Sequence, residues 1–545
     1  MATLSSGADI DHRGTPFTED LLTELLRAVT DPSTNRPCLG DAWFVGARFE
    51  GPAMFADVTF GGHARFDEAT FEDEVYFTEA KFSCEARFAE TTFETAWFIG
   101  ATFFKVAVFT GATFGGNAWL SGVKFGHEAV FVGTQFESFA NFEGAKFDGE
   151  ARFNSARFGD SAVFGGALFR SDAKFPRVAF ERAVAVGPLG CVGTFDLSEA
   201  EFGTAVVIEA AAAAVRCRRT RWSSTAALRL RHASVDFSDA VMEYPVSLSA
   251  HPRPFRLRDQ EVAEPEVSES RVRAVSLRGV DAAHMVLTDV DLTVCQFTGT
   301  IHLDQLRLEG RCRLATAPSG LRWHGIRPVR WSPRRTLAEE QHWRAAQGSN
   351  AEGWTSVAEG GEVLGPAALA PVYRQLRKAF EDSRDEPGAA DFYYGEMEMR
   401  RHDADTPRAE RLLLAAYWGV SGYGMRASRA LGLLLVAMTA TVLAMMLWGL
   451  PQDASKPTST GTFTGRNITM TTDTPDPVNP SGPLRGRLTT ERFEKSLRVV
   501  INSVVFRSSE QELTTAGTYT EMASRVTEPL LLGLAILAIR GRVKR

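Results

Sequence analysis

The sequence predicts a mainly β chain, in which a stacked β-solenoid is followed by an α-helical juxtamembrane and transmembrane region. Two observations predict it: an aromatic side chain returns every five or six residues from Phe44 to Phe180, and Ala430 to Leu450 is an uncharged apolar run. A short fixed repeat is typical of a solenoid, whose units bury their apolar side against their neighbours. The apolar run has the ~20 residues that a helix needs to cross a bilayer.

The repeat places one large and one small side chain in every segment. Of its 26 positions, 25 are Phe and one is Leu120, and the residue two places earlier is Ala in 20 cases. The spacings alternate between five and six residues, so the unit is eleven residues long, with one slip of a residue between Phe88 and Phe98. Residues five apart would lie on different sides of a helix and on opposite faces of a straight strand. A chain that turns a corner after each short strand instead sends every Phe inward.

These residues resemble the pentapeptide repeat family over residues 42–180. The resemblance implies a right-handed quadrilateral β-helix with four five-residue faces per coil, in which the large residue and the small one before it lie inside. The sixth residue in every second segment departs from the family pattern, and we interpret it as a corner bulge. Twenty-six faces then make about six and a half coils, roughly 30 Å of solenoid at ~4.8 Å per layer. Such a filled interior leaves no room for a cofactor, so function is expected on the outer faces.

Local patterns predict the elements on either side of the regular repeat. Residues 16–29 have leucines at helical spacing and Thr18 as N-cap, which predicts a short helix over the open edge of the first coil. After Phe180 the repeat weakens, and the arginine-rich residues 210–222 are typical of an edge strand, with a nucleic-acid patch as the alternative. Residues 250–270, rich in Pro and Glu, predict an excursion loop.

The C-terminal part is predicted to form a membrane hairpin with both termini inside. Arg426 and Arg429 precede the apolar run and Trp448 lies near its far end, which favours a cytosolic N-terminal side. The second apolar run, 529–539, is short for a span unless it begins near Thr518, at the cost of burying or snorkelling three charged residues. These are Glu521, Arg525 and Glu528. A final helix that lies in the membrane interface is the alternative.

Other C-terminal segments carry weaker patterns. Acidic Glu396 and Glu398, followed by Arg400 and Arg401, are predicted to form a solvated face or intramolecular pairs rather than a site. Residues 451–484 are rich in Thr, Pro, Ser, Gly and Asn and predict an exposed loop with little structure. Residues 487–506 predict an amphipathic helix.

The predicted organisation follows from these segments. It comprises an N-terminal capping helix (1–36), a pentapeptide β-helix (37–314; regular over 42–180, degenerate over 181–270, regular again over 273–314), a linker (315–370), juxtamembrane helices (371–426) and a membrane hairpin (427–545; spans about 430–450 and 520–540).

The sequence shows no catalytic, cofactor-binding or metal-binding constellation, and we predict none of these sites and no cofactor. The net charge of -7 is mild, so we do not expect nucleic acid as a partner. The six cysteines are scattered, which favours reduced, buried thiols over disulfides. Residues 187–193, GPLGCVG, do not match the dinucleotide-binding pattern, and the acidic N-terminus is not that of a signal peptide.

The preferred interpretation is a bacterial scaffold or binding protein without catalysis, integral to the cell membrane, with the solenoid and the C-terminal tail in the cytoplasm and a protein partner on the solenoid's outer face. Three alternatives stay open. Similar actinobacterial proteins carry the label membrane-associated oxidoreductase; ten acids within residues 57–94 resemble the acidic rod of DNA-mimicking, topoisomerase-binding relatives; and the two spans resemble a degenerate potassium-channel pore module.

Overall fold

The chain divides into two units, Met1–Phe392 and Tyr393–Arg545. Both are taken from a computed structural model, which describes residues 4–264, 271–318, 321–324, 327–330, 333–347, 353–357, 361–452, 456–464, 467–473, 476–505 and 511–543.

The first unit contains a β-solenoid of about 12 turns, which confirms the predicted solenoid; the regular repeat over 42–180 accounts for about six and a half of these coils. Each coil has up to four short strands, and each strand pairs in parallel with the strand one coil, or 21 to 22 residues, further along, as Phe60 does with Phe82 and Phe82 with Phe103. Between Ala64 and Phe180 the coils therefore form four columns of strands, here called faces 1 to 4. The parallel ladders satisfy the backbone, and one face follows the next at every corner.

The strands of the regular coils have the following bounds. Face 1 contains Thr59–Phe60, Lys81–Phe82, Thr102–Phe103, Lys124–Phe125, Lys146–Phe147 and Leu168–Phe169. Face 2 contains Ala64–Arg65, Ala86–Arg87, Ala107–Val108, Ala129–Val130, Ala151–Arg152 and Ala173–Lys174. Face 3 contains Pro16–Phe17, Arg48–Phe49, Thr113–Phe114, Gln135–Phe136, Arg157–Phe158 and Ala179–Phe180. Face 4 contains Ala53–Met54, Ala118–Trp119, Ala140–Asn141 and Ala162–Val163, while Thr70–Tyr76 and Thr92–Trp97 run from face 3 to face 4.

The interior is a ladder of stacked phenylalanines. The rings of Phe60 and Phe82 lie 4.8 Å apart at an interplanar angle of 2°, so each ring covers the one below at the spacing of the strands. Rings on adjacent faces meet edge to face, as Phe55 and Phe66 do at 81°. These Phe side chains are 0% exposed. The sequence slip appears as a register shift between Phe93 and Thr95.

Two kinds of corner alternate along the solenoid, one in the five-residue segments and the other in the six-residue segments. In the regular coils the left-handed residues lie in the five-residue segments, two places after the inward Phe or Leu, as at Glu68 (φ 58°) and Gly122 (φ 68°). Glycine adopts this conformation without strain, whereas a side chain there is disfavoured. The six-residue segments between Phe49 and Phe180 turn without a positive φ, because the extra residue gives the chain a wider bend.

The solenoid begins before the regular repeat. Ala8–Asp11 pairs with Arg36–Trp43, and Pro16–Phe17 pairs with Arg48–Phe49, so the first coil starts near residue 8 rather than 37. Helix α1, Glu19–Ala28, is inserted into this coil, and Thr18 caps it by accepting from the backbone N–H of Leu21. The spacing did not reveal this coil because the helix interrupts it.

Beyond Phe180 the coils continue with longer strands. Their bounds are Ala185–Asp196, Glu201–Phe202, Val206–Arg216, Arg221–Trp222, Ala226–Arg231, Ser234–Asp236, Val241–Met242, Val246–Ala250, Arg273–Ser276, Met285–Thr288, Asp291–Leu292, Arg307–Glu309 and Arg313–Thr316. Val206–Arg216 pairs on both sides, so the edge-strand prediction for residues 210–222 is wrong. The described part of the excursion loop forms the hairpin Arg256–Leu257/Gln260–Glu261. Phe255 and Val262 pack on Ala211.

Much of the predicted linker is ordered structure in the first unit. Arg335–Thr336 pairs antiparallel with Ala315–Thr316, Leu321–His324 pairs with Arg327–Arg330, and α2 (Ala338–Ala345) and α3 (Pro366–Asp382) follow. The composition resembled a linker because the segment is stabilised by paired charges rather than by a run of apolar residues.

The second unit is helical. Helix α4 spans Glu386–His402, α5 spans Arg408–Ser421, α6 spans Ala427–Ala444 and continues as a π-turn at Met445–Gly449, α7 spans Thr490–Val504, and α8 spans Thr515–Val543. The segment predicted to have little structure contains the hairpin Thr458–Thr464/Asn467–Asp473. Two helical segments, Ala427–Gly449 and Thr515–Ile539, are long and apolar enough to cross a membrane.

Candidate functional surfaces

The outward positions of the strands distinguish one face from the other three. Face 1 presents Lys81, Lys124 and Lys146, face 2 presents Arg65, Arg87 and Arg152, and face 3 presents Arg48 and Arg157. On face 4 eleven successive rungs are uncharged: Met54, Tyr76, Trp97, Trp119, Asn141, Val163, Ala185, Val207, Ala227, Ser247 and Val286. The next rung, which pairs with Val286, is Arg307.

The first rungs of face 4 carry an aromatic stack on the outer surface. Tyr76 and Trp97 lie 5.9 Å apart and Trp97 and Trp119 lie 5.1 Å apart, both at 10°. Phe139 meets Trp119 edge to face at 5.4 Å. Met54 extends the column at its N-terminal end and is 45% exposed. We call Met54, Tyr76, Trp97 and Trp119 the aromatic column.

Further along the same face is a shallow, mainly apolar depression of about 380 Å³, whose lining includes Val184, Val207 and Val286. Val184 is 64% exposed. A column of uncharged outward side chains over so many rungs is unusual on a soluble domain and is typical of an interaction site. The repeat pattern did not reveal it, because the outward residue of each segment looks unremarkable until every fourth segment is aligned.

The acids of residues 57–94 do not form a continuous anionic strip. Arg36 pairs with Asp57 at 3.1 Å, Arg48 with Glu72 at 2.5 Å, and Arg87 with both Asp67 and Glu85. Glu68, Glu79 and Glu90 occupy left-handed corners. Arginines thus interrupt the acidic surface that the DNA-mimic alternative needs.

Three of the four arginines of residues 210–222 are likewise paired. Arg218 binds Asp236 at 2.6 Å, Arg219 binds Glu199 at 2.5 Å, and Arg221 binds Glu243 at 2.8 Å. Because each pair joins adjacent coils, these arginines connect the solenoid along its length, and the geometry does not favour the nucleic-acid patch.

The cysteines are all free, and several lie in the interior. Burial raises the pKa of the Cys191 thiol to about 12 and also raises the pKa values of Cys217 and Cys295. These thiols therefore stay protonated and unreactive at neutral pH. Among the residues that the structure describes, no three His, Cys, Asp or Glu side chains gather as a metal ion would require.

A buried charge cluster fixes the segment that follows the solenoid. Glu340 is fully buried and accepts hydrogen bonds from Arg334 at 2.5 Å, from Arg344 at 2.6 Å and from the Tyr373 hydroxyl. Burial would raise the pKa of Glu340, but Arg334 and Arg344 outweigh it and lower that pKa to about 2. Burial also raises the pKa of Tyr373, so the phenol stays a donor.

Glu339, the preceding residue, contacts the last coils instead. Its Oε1 accepts from the backbone N–H groups of Phe297 and Thr298, at 2.6 and 3.0 Å, and from the Thr298 hydroxyl. Burial raises the pKa of this carboxyl. The two glutamates together join the first turn of α2 to the end of the solenoid, which is a structural role.

In the second unit Glu396 and Glu398 are each only 2% exposed, so they do not form a solvated face. Glu398 pairs with Arg401 at 2.9 Å and accepts from the Tyr423 hydroxyl at 3.1 Å. The alternative prediction of intramolecular pairs is therefore the correct one for Glu398. Burial, then Glu398, raises the pKa of Tyr423.

The helices α6, α7 and α8 bury several polar side chains and expose many large apolar ones, although Leu434, Val499 and Val500 are also buried. On α7 the serines Ser496 and Ser503 are 0% exposed, whereas Phe493 and Ile501 are about half exposed. On α6 and α8 the buried positions include Thr441, Ser524 and Glu528, and the exposed ones include Leu435, Val436, Leu530 and Leu537. This is the reverse of the pattern in a water-soluble bundle.

Polar and small residues also join these helices. Arg492 of α7 donates to the carbonyls of Met446, Leu450 and Pro451 at the end of α6. Gly449 and Gly517 touch through their backbones. Helix α7 packs beside α6 and α8, as the middle helix of a pore module would, but the filter position includes residues 506–510, which lie outside the described residues.

These features define the class of protein. It has a parallel β-solenoid built from short segments, each with one large and one small inward residue, and two span-length helices follow the solenoid. A family model described as Pentapeptide repeats (9 copies) matches residues 66–111 and 131–179. The solenoid accordingly belongs to the pentapeptide repeat family. No curated protein and no solved structure matches the chain.

Proposed function

We propose that this protein is a membrane-anchored scaffold, whose pentapeptide solenoid presents a binding face for a protein partner beside the cytoplasmic side of the membrane. The inverted burial in α6, α7 and α8 is the observation that carries the anchoring. Leu435, Val436 and Leu530 would be exposed to water in a soluble protein, at a cost of about 25 cal/mol per Å². In a bilayer the same apolar side chains contact lipid chains instead of water, and small or polar residues pack between the helices.

The positive charges support an orientation with both termini in the cytoplasm. Arg426 and Arg429 precede α6, and Arg540 and Arg542 lie in the basic C-terminal end of the chain. Lys and Arg near the ends of spans are retained on the cytoplasmic side. Trp448, 52% exposed at the other end of α6, suits the opposite interface.

Face 4 is the proposed binding face. Tyr, Trp and Met are enriched in protein interfaces, and Trp and Tyr supply most of the binding energy where they are covered. The aromatic column offers these residues in consecutive rungs on a rigid support, so little conformational entropy is lost on binding. We expect a partner with an apolar strip that follows the column. The scaffold needs no catalysis of its own.

A photo-crosslinking amino acid placed in the full-length protein tests the binding face. At Met54, on face 4, it should yield a crosslink to one protein partner in native membranes; at Lys124, on face 1, it should not. Trp119→Ala should abolish the Met54 crosslink, and Lys124→Ala should leave it unchanged. Equal crosslinking from both faces, or none from Met54, would remove face 4 as the binding site. A stoichiometric redox chromophore in the purified protein would instead support the oxidoreductase alternative.

A further inference from the structure

Glu528 lies in the middle of α8, with 0% of its side chain exposed. Its Oε1 is 2.9 Å from the Thr441 Oγ1 of α6, and its Oε2 has no hydrogen-bond partner in the part of the chain that the structure describes. Residue 528 is 13 positions from Thr515 and 11 from Ile539, the ends of the span-length segment. At 1.5 Å per residue it is therefore about 16 to 20 Å from either end.

The hydrogen bonds of the Thr441 hydroxyl indicate whether the Glu528 carboxyl is protonated. The Thr441 Oγ1 also lies 3.0 Å from the carbonyl oxygen of Ala437, one turn earlier in α6. A threonine hydroxyl has a single proton and a carbonyl oxygen can only accept. Both contacts are full hydrogen bonds if Thr441 donates to Ala437 and a protonated Glu528 donates to Thr441. With an ionised carboxylate, one of the two contacts has no proton.

We propose that Glu528 is a proton-binding site inside the membrane hairpin, where a proton on Oε1 is donated to Thr441. This inference rests on the proposed membrane anchoring. A neutral carboxylic acid costs much less to bury than an unpaired carboxylate. The unpartnered Oε2 is then an ordinary acceptor rather than part of a buried charge. An ionisable group within a span is in general a functional position, because it is too costly to keep otherwise.

The charged side chains that the structure describes do not offer Glu528 a counter-ion. Helix α6 has no ionisable residue from Ala430 to Leu450. Among the described side chains of α5, α7 and α8, Arg408, Glu494 and Arg498 are exposed, and the other charges have partners of their own: Arg411 on the Arg401 carbonyl, Glu410 on Arg400, Lys495 on Glu491, Arg525 on Glu521, and Arg492 on the α6 carbonyls. Glu521, two turns from Glu528 on α8, differs because Arg525 lies 2.9 Å from its carboxylate.

Difference infrared spectroscopy of the full-length protein in lipid nanodiscs tests the proposal. At pH 7 the wild-type protein should show the C=O stretching band of a protonated carboxylic acid, equivalent to one group per chain. Glu528→Gln should remove this band, and Glu521→Gln, the matched control on the same helix, should leave it. Thr441→Val should shift the band to higher frequency, because the acceptor of the proton is lost.

Two further measurements distinguish a failure of the proton-site proposal from a failure of the membrane-anchoring proposal. The Glu528→Gln variant should melt like the wild-type protein, since the amide can donate to Thr441, whereas Glu528→Ala should melt earlier. Absence of a band that Glu528→Gln removes, in protein that resists alkaline carbonate extraction from membranes, would overturn the proton site alone. Extraction of the wild-type protein by carbonate would overturn the anchoring itself.

Discussion

Glu339 and Glu340 are adjacent in the sequence, yet their carboxyl groups are held in different ways. Glu340 faces the guanidinium groups of Arg334 and Arg344, which are 5% and 7% exposed. Glu339 accepts mainly from neutral N–H groups, and its Oε2 has no partner in the described structure. The same substitution at the two positions should therefore have different effects.

We expect Glu340→Gln to destabilise the segment from Arg334 to Ala345 by about 3–5 kcal/mol, because it leaves buried positive charges without a counter-ion. Glu339→Gln should be close to neutral, because its carbonyl oxygen can still accept from Phe297 and Thr298. Hydrogen exchange of α2 in the full-length protein measures both. Equal loss of protection in the two variants would contradict this assignment.

The pH dependence of the same segment follows from Glu340. Its pKa in the folded protein, about 2, lies below its unfolded value, so its contribution to stability is present above the unfolded pKa of ~4.3 and is lost as the pH falls towards 2. Glu339 has the opposite sign, because its raised pKa favours the fold at low pH. The protection factor of α2, which is the intrinsic exchange rate at each pH divided by the observed rate, should therefore fall below pH 4.5 in the wild-type protein, and this acid dependence should shrink in Glu340→Gln.

Inside the solenoid each stacked phenylalanine ring is expected to contribute several kilocalories per mole to the free energy of unfolding. Phe131 stacks between Phe109 at 4.8 Å and Phe153 at 4.7 Å, and it is 0% exposed. Phe131→Ala should cost about 3–5 kcal/mol, because the coils on either side cannot collapse into the cavity. Val130→Ala, one residue away on the outer surface, should cost less than about 0.5 kcal/mol. Denaturant unfolding compares the two, and similar losses would mean that the interior is not close-packed.

At the scale of elements, the contact between α6 and α8 is set by glycine. A Cβ on Gly517 would lie 2.3 Å from the carbonyl oxygen of Gly449, whereas a Cβ on Gly533 of the same helix meets nothing within 4 Å. Gly517→Val should separate the two helices and reduce the yield of folded, detergent-resistant protein severalfold; Gly533→Val should not. Folding yield after mild solubilisation measures the difference, and tolerance of Gly517→Val would contradict the close contact.

Elements with a regular spacing of apolar residues could be predicted from the sequence, whereas elements stabilised by residues far away in the sequence could not. The Phe ladder, the N-cap at Thr18 and the apolar run of α6 are all local patterns. The charge cluster of α2 depends on Tyr373, some thirty residues away, so its residues resembled a solvated linker. Residues 487–506 were predicted to form an amphipathic helix, and on α7 Val500 is buried whereas Phe493 and Ile501 are exposed. Amphipathicity locates a helix without deciding which of its faces is covered in lipid.

At the scale of the whole molecule, the chain combines a solenoid whose interior is filled by phenylalanine rings with a helical hairpin whose interior contains polar side chains. The solenoid can bind only through its surface, and face 4 is the surface that differs from the rest. That difference was present in the sequence, but it needs the four-face register before it can be recognised. The hairpin supplies the proposed location. A soluble partner bound to face 4 would thereby be concentrated at the membrane.

The measurement that tests this account most directly is the topology of the full-length protein in spheroplasts of a bacterial expression host. Trypsin added outside should cut only between the two spans, for example after Arg485, and leave an N-terminal fragment with the whole solenoid and a C-terminal fragment, both resistant to alkaline carbonate. In inverted vesicles the C-terminal tail should be cleaved instead. Cleavage of the solenoid from outside, or release of the chain by carbonate, would contradict a scaffold anchored on the cytoplasmic side.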